Sequence, residues 1–281
     1  MRVAILGDIH ANATALARAL AVADEGGYDS LVLLGDLLTY GCDVVETLDL
    51  VDAQRARRPT VLLRGNHDAL YDALLTGTIA SEGRLPEWIR ESVTWTLDRL
   101  PVAQWQGLPF RDEYSIQRTL FSHANPFGPA QWAYVNSGAE YEQAAQILRE
   151  RSFHSGVFGH THRARRYRTV GGRGTFVATG DGVQHGLLDG VLDGVATHIV
   201  NPGAIGQPRD CGQRVPIVCW LTFDGMGTPG EQVQLTSQKA RYDVPSHLAR
   251  LRASGLSAPT VARVSAFFVA PDIASTGAGE S

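Results

Sequence analysis

Leu62-Leu63-Arg64-Gly65-Asn66-His67-Asp68 is the stretch that decides how this chain is read. The apolar run Thr60 to Leu63 predicts a buried strand, and it stops abruptly at a glycine. An amide, an imidazole and a carboxylate follow in consecutive positions. Such a cluster on a strand-end turn is costly to bury unless something binds it. Glycine lets the backbone turn sharply there and come close to a ligand. One reading makes Asn66 a metal ligand and His67 a catalytic acid. The other is an ordinary polar loop capping a helix that begins near Ala69. Whether other strand ends offer matching ligands decides between them.

Upstream, they do. Val3 to Leu6 is a short apolar strand ending in Gly7-Asp8-Ile9-His10. Asp8 and His10 lie two apart, so on an extended segment both project to one side, a chelating geometry. Ala11 to Ala23 follows as an alanine-rich helix with Leu16 and Leu20 on one face, and Asn12 reads as its cap. A second strand, Ser30 to Leu34, ends in Gly35-Asp36, and Val44 to Ala56 has helical spacing. Three successive β-α units thus place metal-capable residues just past the carboxyl end of a strand. In open α/β sheets that edge is where ligands bind.

Downstream, Asp68 to about Leu100 is mainly helical, with Trp88, Trp95 and the Ile89-Val93-Leu97 series read as core. Pro101 and Pro109 bracket a connecting stretch, Val102 to Leu108. A strand from Tyr114 to Phe121 ends in Ser122-His123, and a loop and helix (clearest over Tyr141 to Arg151) are expected to wall the site. The short strand Val157-Phe158 leads into Gly159-His160-Thr161-His162, which repeats the spacing of Asp8 and His10. The set is then Asp8, His10, Asp36, Asn66, His123, His160 and His162. Oxygen and imidazole without thiolate suit manganese, iron or catalytic zinc rather than a structural zinc. Seven ligands are too many for one tetrahedral ion and about right for two metals sharing a carboxylate.

Composition excludes several classes. With 281 residues, 44% hydrophobic and 19% charged, the chain can bury a proper core. A net charge of -4 argues against coating extended nucleic acid. Nearly all positive charge is arginine, with Lys239 the single lysine. Cys42, Cys211 and Cys219 form no CxxC pair, so a reducing cytoplasm is the expected location. Met1 to Leu6 enters a strand directly, and no signal peptide is read. No apolar run approaches the ~20 residues needed to span a bilayer, so no membrane partner is expected.

Gly7-Asp8-Ile9-His10, Gly35-Asp36, Gly65-Asn66-His67-Asp68, the strand-tip His123 and Gly159-His160-Thr161-His162 together resemble, in order, the motif set of the calcineurin-like metallophosphoesterases. The resemblance runs from about Met1 to Asp224. It implies an α/β fold, a four-layer α/β/β/α sandwich of two mixed sheets with a two-metal site at one edge. Asp8, His10, Asp36 and His162 would hold the first divalent ion. Asp36, Asn66, His123 and His160 would hold the second, with Asp36 bridging. Manganese is the first choice of metal, with iron, zinc or nickel as alternatives. The implied chemistry is in-line attack of a metal-bound hydroxide on phosphorus, with His67 protonating the leaving oxygen. Asp68 either orients His67 as a catalytic partner or sits as a helix N-terminal carboxylate.

Departures from the family pattern narrow the substrate. Its protein Ser/Thr phosphatases carry an Asp and an Arg where this chain has Thr39 and Tyr40. The Gly35 to Gly41 loop, Arg64, and Asn201-Pro202-Gly203-Ala204-Ile205-Gly206-Gln207-Pro208-Arg209-Asp210 are more similar to the small bacterial and archaeal phosphodiesterase branch. A small phosphodiester substrate is expected. A phosphomonoesterase, a nuclease or a non-catalytic metal-binding scaffold on the same fold are the alternatives. Arg209 and Asn66 are expected to touch substrate. Arg163, Arg165, Arg166 and Arg168 read as a solvated strand. Gly171 to Gly194 reads as hairpins or an insertion, with His185 and His198 structural. Val215 to Phe223 is expected to close the second sheet, Val233 to Tyr242 to be another strand, and Pro245 to Ala253 and Pro259 to Phe268 to be short helices. The organisation expected is one domain over 1–270, with core 1–224, a C-terminal strand and helices over 225–270, and a loose tail over 271–281. A homo-oligomer is left open.

Overall fold

The computed structural model describes residues 1–78, 85–177, 188–210, 214–224 and 232–268. β1 (Arg2–Leu6), β2 (Ser30–Leu33) and β3 (Thr60–Leu63) pair in parallel, joined by α1 (Ala13–Gly26) and α2 (Val44–Arg57). After β3 come α3 (Asn66–Leu75), α4 (Glu87–Leu97) and α5 (Val102–Gln106), then β4 (Phe110–Arg111) at the sheet edge. A second sheet starts with β5 (Glu113–Ile116) and β6 (Thr119–Ser122) and continues, after α6 (Gly138–Glu150), with β7 (Ser155–Phe158), β8 (Ala164–Val170) and β9 (Arg173–Phe176). β10 (Gly190–Leu192), β11 (Thr197–Pro202), β12 (Ile217–Asp224) and β13 (Gln232–Lys239) complete both sheets, and α7 (Val244–Ala253) and α8 (Ala258–Ser265) follow. The strand orders are β10-β13-β12-β1-β2-β3-β4 and β5-β6-β7-β11-β8-β9.

The parallel strands β1, β2 and β3 are largely apolar because both faces of the sheet are covered there. In β1, Ala4 and Leu6 pack under α1 and α2, while Val3 and Ile5 face the other sheet. Leu31 and Leu33 of β2 make the same split against Val32 and Leu34. In the second sheet Phe121, Val157 and Val200 face inward, while Leu120, Phe158 and Ile199 pack against α6. Period-two alternation thus separates three apolar layers, and the result is the expected four-layer α/β/β/α sandwich.

Several local expectations need correcting. The stretch Tyr114 to Phe121 is a hairpin rather than one strand: Gln117 takes a positive φ of 52° and β5 pairs antiparallel with β6. Val102 to Gln106 is a helix, α5, not a plain connection. The helix after β3 begins at Asn66 itself, three residues before Ala69. β12 joins the first sheet, antiparallel to β1, and does not close the second. The arginine stretch is solvated only in part: Arg163 is exposed and Arg165 and Arg168 half-exposed, but Arg166 is buried and donates to the carbonyls of Asp189 (2.7 Å) and Val191 (2.8 Å). Its neighbours Arg165 and Arg168 pair with Asp210 (3.0 Å) and Asp193 (3.4 Å). His198 is fully buried, 3.7 Å from Asp193, as a structural residue would be. The Gly171 to Gly194 stretch contains the β8–β9 hairpin and β10; its residues 178–187, with His185, lie outside the described residues, as do Cys211 and the 271–281 tail.

Candidate metal centre

The loops at the carboxyl ends of the strands hold a backbone that side-chain-bearing residues rarely adopt. Asp8 (φ 53°), His10 (49°), Asp36 (53°), His160 (67°) and His162 (60°) all take positive φ. Such residues cost of order 1–3 kcal/mol each and persist only where their surroundings over-determine them. Here the loops are stitched together. Asp8 N–H donates to Gly35 O (3.1 Å), Ile9 N–H to Asp36 O (2.9 Å) and Ala11 N–H to Leu37 O (2.8 Å). Gly206 N–H donates to Asp8 O (2.9 Å), and Gly159 N–H to His123 O (2.7 Å). Glycine is obligatory at several points at this density, Gly65 and Gly206 among them. A Cβ on Gly65 would collide with the Asp36 carboxylate, and one on Gly206 with the Ile9 carbonyl.

The stitching brings the expected ligands into two groups, Asp8-His10-His162 and Asp36-His123-His160, with the ligand atoms of each within 4.8 Å of one another. Asp36 Oδ2 stands between them, 3.9 Å from His10 Nε2 and 3.4 Å from His123 Nε2. Asn66 Oδ1 is 3.2 Å from His123 Nε2.

Each imidazole has its other nitrogen committed. His10 Nδ1–H donates to Leu38 O (3.1 Å), His123 Nδ1–H to Leu34 O (2.8 Å) and His162 Nδ1–H to Gln207 O (3.0 Å). His160 is turned the other way, its Nε2–H donating to Trp132 O (3.0 Å). A carbonyl can only accept, so the tautomers are set. The Nε2 atoms of His10 and His162 then face each other at 3.0 Å, lone pair to lone pair. Burial pushes His10 down to about 3 and His162 well below the ordinary histidine range, so a proton does not relieve that contact. A divalent cation does. Burial likewise takes His160 down to about 4. His123 differs. Burial lowers it, but the charge of Asp36 and the hydrogen bond to it, with the charge of Asp8 and the Leu34 carbonyl, together raise it to about 9. Burial would raise Asp36, and His123 draws it well below the usual carboxylate range. The Asp36–His123 pair, 3.4 Å apart, stands in the second ligand group, where a cation would meet both. Burial raises Asp8 to about 7. Oxygen and imidazole donors, outer nitrogens on carbonyls and no thiolate fit two such ions.

His67 lies 8% exposed beside the first group, its Nε2 3.1 Å from the Tyr40 hydroxyl and its buried Nδ1 without a partner among the described residues. Tyr40 stacks on Trp88 (centroids 5.3 Å apart, 26°) and packs with Leu248, Leu251 and Val264 of α7 and α8. The C-terminal helices therefore buttress His67. Asp68 does not meet the His67 ring. Its Oδ2 accepts from Asp36 N–H (2.7 Å) and Gly65 N–H (2.8 Å), and its Oδ1 from Leu37 N–H (3.0 Å). Burial, then the charge of Asp36, pushes this carboxyl up to about 7. Its three donors favour the ionised form, since a protonated oxygen would face another N–H.

Arg209 N–H donates to His162 O (3.0 Å), which places the expected substrate arginine at the centre's rim. With Arg163, Tyr134, Asn136 and Thr161 it lines an open cleft of about 210 Å³. Sequence reasoning missed Tyr40 as the partner of His67, and Tyr134, whose ring stacks on His160 at 4.2 Å. The available signal was an aromatic residue in the same loop as a ligand, at Tyr40, and the Trp132-Ala133-Tyr134 pair after His123.

A four-layer sandwich carrying two facing ligand groups at one sheet edge is a metallophosphoesterase architecture. The family model described as calcineurin-like phosphoesterase matches residues 1–164, and the chain belongs to that family of phosphoester hydrolases. It is similar to a metallophosphoesterase from Sphaerobacter thermophilus, with a TM-score of 0.69 and 26% identity over 95% of this chain and 100% of that one. Hypothetical protein PH1004 from Pyrococcus horikoshii shares the fold, with a TM-score of 0.68 and 14% identity over 94% of this chain and 97% of that one. Uncharacterized protein MJ0912 of Methanocaldococcus jannaschii is 25% identical over 221 residues, 74% of this chain and 77% of that protein.

Proposed function

We propose that the protein is a two-metal phosphodiesterase for small phosphodiesters, working with manganese first, and with iron, zinc or nickel as alternatives. The observation that carries the reading is the 3.0 Å approach of two neutral imidazole nitrogens, His10 Nε2 and His162 Nε2, both with their lone pairs inward. Asp8, His10, Asp36 and His162 hold one ion, and Asp36, Asn66, His123 and His160 the other. When bound, the ions lower the pKa of a shared water and neutralise phosphoryl oxygens.

The chain's own residues supply the rest. In its acid form His67 carries hydrogen on both nitrogens. Nε2–H donates to the Tyr40 oxygen, which fixes the ring, and Nδ1–H protonates the leaving oxygen, a contribution of about 10²–10⁴-fold. Asp68 positions the Asp36 loop. Asn66 and Arg209 touch the substrate phosphate. Diesters are favoured because Thr39 and Tyr40 put no charge where the phosphatases of this family carry an Asp and an Arg, and Tyr40 instead packs on Trp88. Residues 1–270 act as one domain, with β13 part of the first sheet. Among the described residues no helix is long and apolar enough to cross a membrane, and Cys42 and Cys219 are free thiols, which suits a cytoplasmic location.

Hydrolysis of bis-p-nitrophenyl phosphate with and without manganese tests this reading. His67→Ala should keep its metal and lose rate on an alkyl diester, whose leaving group needs a proton; Asp36→Asn should lose metal, read by elemental analysis. An inert protein under every divalent ion, or an Asp36→Asn variant with a full complement of metal, would overturn it.

A further inference from the structure

The loop between β6 and α6 contains no helix or strand, and most of it is exposed from Pro129 to Tyr134. It nevertheless meets both imidazoles of the second ligand group. Tyr134 lies nearly parallel to the His160 ring, with centroids 4.2 Å apart and planes at 17°. Trp132 stands edge-on to the His123 ring, at 5.8 Å and 73°. The Trp132 carbonyl accepts from His160 Nε2–H at 3.0 Å. That bond leaves His160 Nδ1 facing His123 Nε2, 3.2 Å away, where a cation would meet both. Among the described residues the rings of this loop stack on no ligand of the first group. His10 packs instead with Tyr40, His67 and His162.

An exposed loop holds one carbonyl still only if something grips it, and the buried Asn125 does so. Its Nδ2 donates to Gln131 O (2.8 Å) and Ala133 O (2.9 Å), and its Oδ1 accepts from Phe127 N–H (3.0 Å). Two carbonyls and one amide N–H fix which end of the side chain is which. Its own carbonyl accepts from Ser122 Oγ (2.6 Å), which anchors it to the end of β6. The two carbonyls it grips flank Trp132 in sequence. Consecutive carbonyls of an extended segment point to opposite sides, so holding the outer pair turns the middle one away, toward His160. Among the described residues, the bonds from Asn125 and His160 are the only hydrogen bonds that tie residues 129–135 to the strand tips.

We propose that Asn125 is the positioning residue of the second metal seat. By gripping the Gln131 and Ala133 carbonyls it aims the Trp132 carbonyl at His160 and keeps Nδ1 of that ring, rather than Nε2, turned to the ion. The inference rests on the two-metal reading and adds to it a residue whose own polar atoms are all committed to backbone. A group that orients a ligand in this way is worth about 10–100-fold in metal affinity. The rings of the first seat are set by other carbonyls, those of Leu38 and Gln207, so the loss falls on one ion of the two. Asn125→Asp keeps the size and shape of the side chain and replaces the two donors with an oxygen, which then faces two carbonyl oxygens.

The test follows manganese binding to the chelator-treated protein by calorimetry, with electron paramagnetic resonance to tell a spin-coupled pair from a lone ion. Wild type should take two ions and give the coupled signal. Asn125→Asp should bind one ion within about threefold of wild type and the other about 10–100-fold more weakly. At a manganese concentration that just fills wild type, it should therefore give the uncoupled signal of a single ion. Asn125→Ser, which keeps one shorter donor, should fall between the two. Circular dichroism and thermal melting check that both variants fold. A merely structural role would lower stability while weakening both ions alike or neither. Equal loss of the two ions, or an unchanged second ion, would overturn the proposal, and so would failure of both variants to fold. A wild type that takes fewer than two ions would sink the two-metal reading, and the proposal with it; two ions in wild type with no selective loss in the variants would sink the proposal alone.

Discussion

Asp68→Asn tests what keeps the metal centre in shape. The native carboxylate takes two N–H groups on Oδ2, from Asp36 and Gly65, and one on Oδ1, from Leu37. Asparagine has one carbonyl oxygen. Placed at Oδ2 it keeps two of the bonds, now to a neutral acceptor, and its NH₂ meets Leu37 N–H donor against donor. A hydrogen bond to a charged group is worth about 1.5–3 kcal/mol, and a buried orphan donor costs about 1–3 kcal/mol. The two figures overlap because both describe the Leu37 amide, so the expected loss is about 2–4 kcal/mol. Urea denaturation in the presence of a chelator isolates that term from metal binding. Because two of the three donors lie on the loop presenting Asp36, manganese affinity by calorimetry should also fall, by about 10–100-fold as for other groups that orient a ligand. A variant as stable as wild type to within about 0.5 kcal/mol, with unchanged affinity and a collapsed kcat, would refute this accounting. Asp68 would then act on the chemistry, as its place next to His67 in sequence also allowed.

Gly65→Ala should abolish metal binding and lower stability by several kcal/mol, as its Cβ has no space beside the Asp36 carboxylate; metal content and thermal melting read both. Tyr40→Phe should keep both metals and lose about tenfold or more in kcat on an alkyl diester, but far less on an aryl diester, whose leaving group needs no proton. Equal losses on the two would show that Tyr40 is only structural. Asp43 is buried and bound by Arg250 through two bonds of 2.9 Å. Burial alone would raise its carboxyl, but the His247 ring 3.8 Å away and the hydrogen bonds from Arg250 draw it below the usual range. Its stabilisation is therefore complete above the unfolded-state value of about 4 and is lost as pH falls through the lower folded value. Asp43→Asn should cost about 1–2 kcal/mol at pH 7, with the gap to wild type closing as urea titrations move below about pH 4. A gap that holds its size in acid would contradict the sign.

Much of the site was legible because the ligand-bearing motifs are local, although the fold sends His160 and His162 to different ligand groups. Asp8 with His10, and His160 with His162, are two residues apart on strand tips, and glycine marks each tip. The parallel β-α units were legible for the same reason, since an apolar run, a glycine and a helical period are all short-range signals. What sits between distant segments was not. His10 and His162 are 152 positions apart, and only the packed sheets bring their nitrogens to 3.0 Å. The carbonyls of Leu34, Leu38, Trp132 and Gln207 that set the tautomers carry no side-chain signature at all. The arginines of β8 looked solvated because their partners at Asp189, Asp193 and Asp210 lie 23 or more positions away. β12 reads as a strand by composition, but its neighbour is chosen by pairing with β1 across about 220 residues, a choice periodicity does not encode. The residues able to bind metal were thus settled by short-range chemistry in the chain. Tertiary packing decided which nitrogen of each ring faces inward, which hydroxyl steadies His67, and which carbonyls and carboxylates the arginines of β8 meet.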